Sequence, residues 1–136
     1  MKKELEGKTA IITGAGRLRG IGRATAVALA KLGANIVITG TGKSPETFPK
    51  DEKDIGWKDI ESTAEQVRDE GSLAKTVITD ITKESEVKFL INSTLETFGN
   101  LDILVNNAAS PYGEDRVPIV EIENEIFRKV INTKVY

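Results

Sequence analysis

The 136-residue sequence contains no cysteine and no histidine, which narrows the chemistry that the chain could perform. Without these side chains there is no disulfide framework, no thiolate nucleophile, no imidazole base and no ordinary zinc site. Any proton transfer must therefore fall to Tyr, Lys, Asp, Glu or a bound cofactor.

An excess of charge of one sign is also missing. The 19 basic residues are balanced by 21 acidic ones, and the formal net charge of −2 gives no reason to expect a nucleic-acid partner. No apolar run is long enough to span a bilayer, and the opening MKKELEGK is not followed by the apolar stretch of a targeting signal. These features predict a cytoplasmic, one-domain protein with no membrane association.

What the sequence does contain is a regular alternation of short β-rich runs with helical apolar patterns. Three helical patterns end at a glycine, namely Gly33, Gly71 and Gly99. The predicted strands cover residues 8–13, 35–39, 73–79 and 102–106, and the last of them has the apolar centre of a strand buried on both faces. The alternation predicts an α/β fold, a doubly wound parallel sheet with strand order 3-2-1-4. Since four strands are only the first part of such a sheet, we expect the sequence of residues 1–136 to be truncated.

Further expectations concern the helices and one long connection. The first helix is predicted to face the sheet with Ile21, Ala24, Ala28, Leu29 and Leu32. Thr82 is the predicted N-cap of a later helix, and the last helix is predicted to begin near Glu123. Residues 40–59 are polar, hold two prolines and the single Trp, and exceed a usual βα connection, which predicts an insertion with its own short helical turn.

The strongest local signal is the run TGAGRLRGIG at residues 13–22, between a predicted strand and a predicted helix. Glycines there let the backbone turn and approach a pyrophosphate, and the helix N-terminus attracts its negative charge. A GxGxxG match fails because Arg19 occupies the third glycine position, and a Walker A loop fails for lack of GK[ST]. A strand-to-helix turn with no ligand is the alternative, and the context favours a dinucleotide.

Four features in chain order resemble the short-chain dehydrogenase/reductase family: the loop at 13–22, Asp80 after the third strand, the NNAA run at 106–109, and Asn132. The resemblance implies a Rossmann-type segment of an NAD(P)-dependent oxidoreductase that interconverts a small-molecule alcohol and ketone, and a homo-oligomer. The family's TGxxxGxG loop has three residues between its first two glycines, whereas this sequence has five.

The resemblance also assigns roles to single residues. Asp80 and Ile81 would border the adenine, and Asn106 and Ala108 would line the ribose side and the floor under the nicotinamide. The pyrophosphate and the neighbouring ribose would lie against Gly14, Gly20, Ile21 and Gly22. Two structural alternatives stay open, because Asp80 could cap the next helix and the amides after the fourth strand could hold adjacent loops together.

The catalytic centre departs from the family pattern. The resemblance implies a Ser and a YxxxK arrangement supported by an Asn, and only the Asn is present, as Asn132. Lys134 and Tyr136 have the wrong order and spacing and are interpreted as helix residues without a catalytic role. The chain is therefore predicted to be inactive by itself. The alternatives are a non-catalytic dinucleotide-binding module and an inactive truncated product.

The choice of cofactor can be argued from charge. Dinucleotide folds that prefer NAD place an acid about 20 residues beyond the glycine loop. Here the second strand ends in TGTGK at 39–43, so Thr41 and Lys43 stand at that position and no acid comes before Glu46. Arg17, Arg19 and Lys43 would each be ordinary surface charges alone, but with the missing acid they predict NADP, with NAD as the alternative.

Overall fold

The computed structural model describes residues 2–109 and 117–134, which form a four-stranded parallel sheet with helices on both faces. The strands are β1 (Thr9–Thr13), β2 (Asn35–Gly40), β3 (Ala74–Ile78) and β4 (Ile103–Val105). Their order is β3-β2-β1-β4, so the predicted strand order and parallel pairing are confirmed.

In the described residues, five helices connect and follow these strands. They are α1 (Ile21–Lys31), α2 (Lys50–Asp54), α3 (Ile60–Asp69), α4 (Glu84–Phe98) and α5 (Asn124–Lys134). Single 3-10 turns lie at Pro45–Thr47 and Ile119–Glu121. The helical turn expected within residues 40–59 is present as the 3-10 turn and α2. Within the described residues, no helix combines the length and the apolar character needed to cross a membrane.

The sheet separates two apolar cores. On one face, Ile12 and Ile38 pack with buried residues of α1 and α3. On the other face, Ile11, Val37 and Val77 pack with Leu90 of α4. All five residues of β1 are buried because neighbouring side chains point to opposite faces and both faces of this central strand are covered.

The face that α1 turns to the sheet differs from the prediction. The buried residues of α1 are Gly22, Ala26 and Ala30, whereas Ile21 is 77% exposed and Ala24 and Ala28 are exposed. The smallest side chains recur at every fourth position, so this face lets the helix backbone lie closest to the sheet. The prediction of a closely packed small-residue stripe was therefore right in kind but wrong in position. Of the five predicted residues only Leu29 packs against the core, where it is partly buried, and Leu32 is 38% exposed.

Two further expectations are corrected. The helix α4 begins at Glu84 after Lys83, and Thr82 is not its N-cap, because the Thr82 hydroxyl donates to Asp80 Oδ1 at 2.6 Å. The strand β4 is not buried on both faces, since Leu104 is 52% exposed. In the described residues β4 is an edge strand, and α4 leaves this end of the sheet partly uncovered.

Candidate functional site

The carboxyl ends of the four parallel strands meet at one edge of the sheet, where they border a cavity of about 730 Å³. Gly14 follows β1, Thr41 follows β2, Asp80 follows β3 and Ala108 follows β4, and all four line the cavity. The helix α5 supplies a further wall with Asn132. Open parallel α/β sheets bind ligands at this edge, so the topology itself marks the place.

The loop after β1 approaches the loop after β4 so closely that only glycine fits. Gly14 has a φ of 67°, and a Cβ at Gly14 would lie 2.8 Å from the Ala108 Cα. A Cβ at Gly22 would lie 2.7 Å from Asn107 Nδ2 and 2.9 Å from the Ala15 Cα. These two glycines are therefore required by the packing of the protein itself.

Asn107 fastens the two loops together. Its side-chain Nδ2 donates to the Thr13 and Gly14 carbonyl oxygens, both at 3.1 Å. The Thr13 hydroxyl in turn accepts from the backbone N–H groups of Asn107 and Ala108 at 3.0 Å. The structural alternative for these amides is thus realised by Asn107, while Asn106 is exposed.

The segment after β2 braces the glycine-rich loop from the other side. Glu52 Oε1 accepts from the Leu18 backbone N–H at 2.9 Å, and the Trp57 indole donates to the Gly16 carbonyl at 2.7 Å. The Thr63 hydroxyl donates to the Ala15 carbonyl at 2.7 Å. We call Glu52, Trp57 and Thr63 the brace. Its side chains are buried, and they hold the five residues between Gly14 and Gly20 in place. Sequence reasoning did not identify these contacts.

The basic side chains near the loop are matched by acids. Arg17 Nε lies 3.1 Å from Glu52 Oε1, and Arg19 Nε lies 2.7 Å from Asp51 Oδ2. The hydrogen bond from Arg19 lowers the pKa of Asp51 below its ordinary value. Of the three cations expected at a phosphate, Arg17 and Lys43 line the cavity, whereas Arg19 points its charge to Asp51.

Asp59 is a cavity residue that the sequence reasoning missed. It directly precedes α3, has a φ of 55°, and lines the cavity with Gly16, Gly40 and Lys43. Burial raises the pKa of the Asp59 carboxyl, and the Ile60 N–H and the Lys43 charge partly offset that shift. The helix that follows β2 must begin at the carboxyl edge of a parallel sheet, and this signal in the sequence could have pointed to Asp59.

Asp80 organises the turn after β3. Its Oδ1 accepts from the Thr82 backbone N–H at 3.0 Å and from the Thr82 hydroxyl, and these bonds lower the pKa of Asp80. The Asp80 backbone N–H donates to Glu86 Oε1 at 3.0 Å. Asp80 therefore orders the turn that leads into α4 and still faces the cavity beside Ile81.

The structure brings most of the predicted site residues together. Those that line the cavity are Gly14, Thr41, Lys43, Asp80, Ile81, Ala108 and Asn132. Those that do not are Arg19, Gly20, Ile21, Gly22 and Asn106. Gly20 to Gly22 form the start of α1 beside the loop. Tyr136 and the side chain of Lys134 lie outside the described part of the chain.

One polar atom of the cavity wall has no partner in the described residues. The hydroxyl of Thr39 at the end of β2 is buried and makes no hydrogen bond there. A bound molecule with a donor or acceptor at this edge would satisfy it. Together with Gly14 and Gly16 of the glycine-rich loop, which line the same cavity, this orphaned hydroxyl fits a polar, elongated ligand such as a dinucleotide.

Comparisons with known proteins agree with this geometry. A family model described as short chain dehydrogenase matches residues 8–136. The chain is 38% identical over 130 residues to the short chain dehydrogenase/reductase astE of Aspergillus oryzae, covering 96% of this chain and 43% of that protein. It is 37% identical over 134 residues to the hydroxynaphthalene reductase-like protein Arp2 of Metarhizium majus, covering 96% and 42%.

Solved structures with a similar fold also belong to dehydrogenases. The carveol dehydrogenase from Mycobacterium avium in complex with NAD matches with a TM-score of 0.77 and 27% identity, covering 96% of this chain and 45% of that one. A short chain dehydrogenase from Mycobacterium smegmatis matches with a TM-score of 0.72 and 31% identity, covering 95% and 47%. The chain thus spans less than half the length of these similar proteins.

Proposed function

Because the chain belongs to the short chain dehydrogenase/reductase family, we propose that it forms the dinucleotide-binding part of an oxidoreductase acting on small molecules. The reaction would interconvert an alcohol and a carbonyl group. The observation that carries the proposal is the cavity at the carboxyl edge of the sheet, where the glycine-rich loop, Asp80 and Asn132 meet.

The residues of the cavity fit a nicotinamide dinucleotide. Its volume of about 730 Å³ is in the range of small-molecule and cofactor sites. The backbone from Gly14 to Gly16 and the start of α1 at Gly20 would hold the pyrophosphate. Asp80 and Ile81 would border the adenine, and Ala108 would lie under the nicotinamide, whose bound ring supplies or accepts a hydride. Ile21, Gly22 and Asn106 would support these groups from just outside the cavity.

Within the proposed site, Asn132 is the residue that the family resemblance assigns to the catalytic centre. It lies on α5 and lines the cavity, so its amide could donate to or accept from a reacting group there. The YxxxK arrangement that the family uses for proton transfer is not found in residues 1–136. We therefore assign cofactor binding to this chain and expect no turnover from these 136 residues alone.

The test is a titration of the full-length protein with NADH and NADPH, followed by nicotinamide fluorescence and by competition with ADP-ribose. We expect saturable binding of at least one dinucleotide and hydride transfer with some member of a panel of alcohols and ketones. Absence of binding to both dinucleotides would refute the proposal.

A matched pair of variants tests whether the dinucleotide binds at the glycine-rich loop. Gly14 and Gly7 both have a positive φ, of 67° and 83°, so Gly→Ala strains the backbone at each. Only at Gly14 would the new Cβ meet the Ala108 backbone, while nothing lies within 4 Å of a Cβ at Gly7. We expect Gly14→Ala to weaken dinucleotide binding at least about tenfold, and Gly7→Ala to leave it nearly unchanged.

A further inference from the structure

We propose that Asp59 selects NAD(H) over NADP(H), by accepting hydrogen bonds from the hydroxyls of the adenosine ribose and repelling a 2′-phosphate. This inference rests on the proposed function and reverses the cofactor preference expected from the sequence. That expectation depended on two premises, a missing acid at the end of β2 and three available cations, and the structure changes both.

The acid is supplied from a distant point in the chain. A Cβ at Gly16 would overlap Asp59 Oδ1, and a Cβ at Gly40 would lie 3.8 Å from Asp59 Oδ2. The carboxylate therefore lies between the glycine-rich loop and the end of β2. This is the place where dinucleotide folds that prefer NAD hold the ribose with an acid, although Asp59 follows β2 by 19 positions and not directly.

The path of the chain explains why the acid arrives so late. After β2 the chain leaves the sheet through the 3-10 turn at Pro45–Thr47 and the helix α2, and it returns at Asp59 to begin α3. In a parallel sheet the helix after β2 starts at the same edge as the end of β2. The residue before α3 is thus returned to the cavity, whatever the length of the connection.

The three cations near the glycine-rich loop already interact with acids, whereas the other cations of the cavity wall, Arg128 and Lys129, lie on α5. Arg17 is paired with Glu52, Arg19 with Asp51, and the Lys43 charge acts on Asp59. Two of the three cations are thus held in ion pairs, and the third lines the cavity together with Asp59. A phosphate monoester carries close to two negative charges near neutral pH and would add them beside the Asp59 carboxylate. A ribose diol is neutral and brings two O–H donors, which a carboxylate accepts readily.

The contacts that the protein makes to the Asp59 carboxylate offset only part of the cost of burying its negative charge. Burial raises the pKa of Asp59, and the N–H groups of Ile60 and Lys43 offset only part of that effect. Hydroxyl donors from a ligand would stabilise the ionised form further. The Thr39 hydroxyl, which is buried without a partner in the described residues, lines the same cavity and offers a bound dinucleotide one more polar contact.

A second cavity beside the first supplies the competing interpretation. It has about 250 Å³ and is lined by Arg17, Lys43, Ser44 and Thr47, among others, which are groups that could hold a phosphate. Arg17 is however held by the buried Glu52, and Asp59 lies in the larger cavity with the glycine-rich loop. These contacts favour NAD(H). A measured preference for NADP(H) would instead support binding of the 2′-phosphate in the smaller cavity.

The experiment compares dissociation constants of NADH and NADPH for the full-length protein. We expect the unmodified protein to bind NADH at least about tenfold more tightly, and Asp59→Asn to reduce this ratio at least about tenfold. Asn is isosteric with Asp and tolerates a positive φ, so the variant should keep the fold. The matched control is Asp54→Asn, which removes one negative charge from the same segment at an exposed position paired with Lys50.

The outcomes separate this inference from the proposed function. A preference of the unmodified protein for NADPH would overturn the assignment of Asp59 while leaving an NADP-dependent oxidoreductase. Equal ratios in Asp59→Asn and Asp54→Asn would also overturn it. Failure to bind either dinucleotide would overturn the proposed function and the inference with it. The ratio in the unmodified protein needs no variant, so a misfolded substitution cannot obscure the result.

Discussion

Single side chains decide how the cavity edge is assembled, and Asn107 is the clearest case. Its side-chain amide donates hydrogen bonds to the carbonyl oxygens of Thr13 and Gly14. Its backbone N–H, in the loop after β4, donates to the Thr13 hydroxyl. Two loops 93 or more positions apart in the chain are thereby fixed at hydrogen-bond distance. A ligand that contacts both loops would therefore bind to a surface that is already ordered.

The pair Asn107 and Asn106 gives a prediction at this scale. Asn107→Ala would leave the Thr13 and Gly14 carbonyls without these donors, and we expect it to lower the free energy of unfolding by about 1 to 3 kcal/mol. Asn106→Ala changes an exposed side chain and should stay within about 0.5 kcal/mol. Urea denaturation of both variants measures this. Equal effects would show that the amide bonds do not fix the loops.

The positions of some cavity residues could be predicted from the sequence, and those of others could not. Gly14, Asp80 and Ala108 were predictable because each follows a recognisable strand, and parallel strands bring their carboxyl ends together. Asp59 follows no strand directly, and a composition-based interpretation of 40–59 treats it as part of a polar loop. Thr82 was wrong as a cap because Asp80, two residues earlier, bonds both its N–H and its hydroxyl.

At the scale of elements, the segment from α2 to the start of α3 supports the glycine-rich loop. The loop has five residues between Gly14 and Gly20, and the brace accepts from or donates to three of their backbone groups. The long loop and the long connection after β2 are therefore two parts of one arrangement. A pattern search treats them separately, because the contacts join residues more than 30 positions apart.

Two neighbouring acids of this segment test the idea. Glu52 is buried and holds the Leu18 N–H and Arg17, whereas Asp51 is more accessible and holds Arg19. We expect Glu52→Gln to lower the free energy of unfolding by about 1 to 3 kcal/mol, because it weakens a charge-assisted bond to the Leu18 N–H. It should also weaken dinucleotide binding several-fold, on the order of 1 kcal/mol.

The control for that prediction is Asp51→Asn, which removes a pair near the surface. Exposed ion pairs contribute little to stability, so we expect almost no change in Tm or in dinucleotide binding. Thermal unfolding and nicotinamide fluorescence on both variants supply the comparison. If Glu52→Gln behaves like Asp51→Asn, the loop keeps its shape without the brace.

The helix α1 shows why the type of an element is easier to predict than its orientation. Its helical pattern was evident from the spacing of apolar residues, yet Gly22, Ala26 and Ala30 face the sheet. The three- and four-residue spacing of Ile21, Ala28 and Leu32 predicted another face, and Ile21 and Leu32 are exposed. Packing against this sheet instead requires the narrowest face, and the distance between helix and sheet is not a property of the helix sequence.

For the whole molecule, the strand order was predictable because right-handed crossovers allow few arrangements of four alternating units. The coverage of the sheet was less predictable. The face of β1 and β2 that α1 and α3 cover is closed, whereas on the other face α4 leaves Leu104 half exposed. On α5, Phe127 is also about half exposed, while Ile126, Val130 and Ile131 are partly buried.

These exposures predict how a chain of these 136 residues behaves alone. Among the described residues, no strand pairs with the outer edge of β4, whose backbone groups can pair with another strand, and Leu104 adds an apolar surface beside them. We expect concentration-dependent self-association, which Leu104→Thr should reduce several-fold. Leu73→Thr is the control, because Leu73 is 64% exposed but lies before β3 at the opposite end of the sheet order. Sedimentation velocity over a concentration series measures both, and a monomer mass at every concentration would show that this edge is protected.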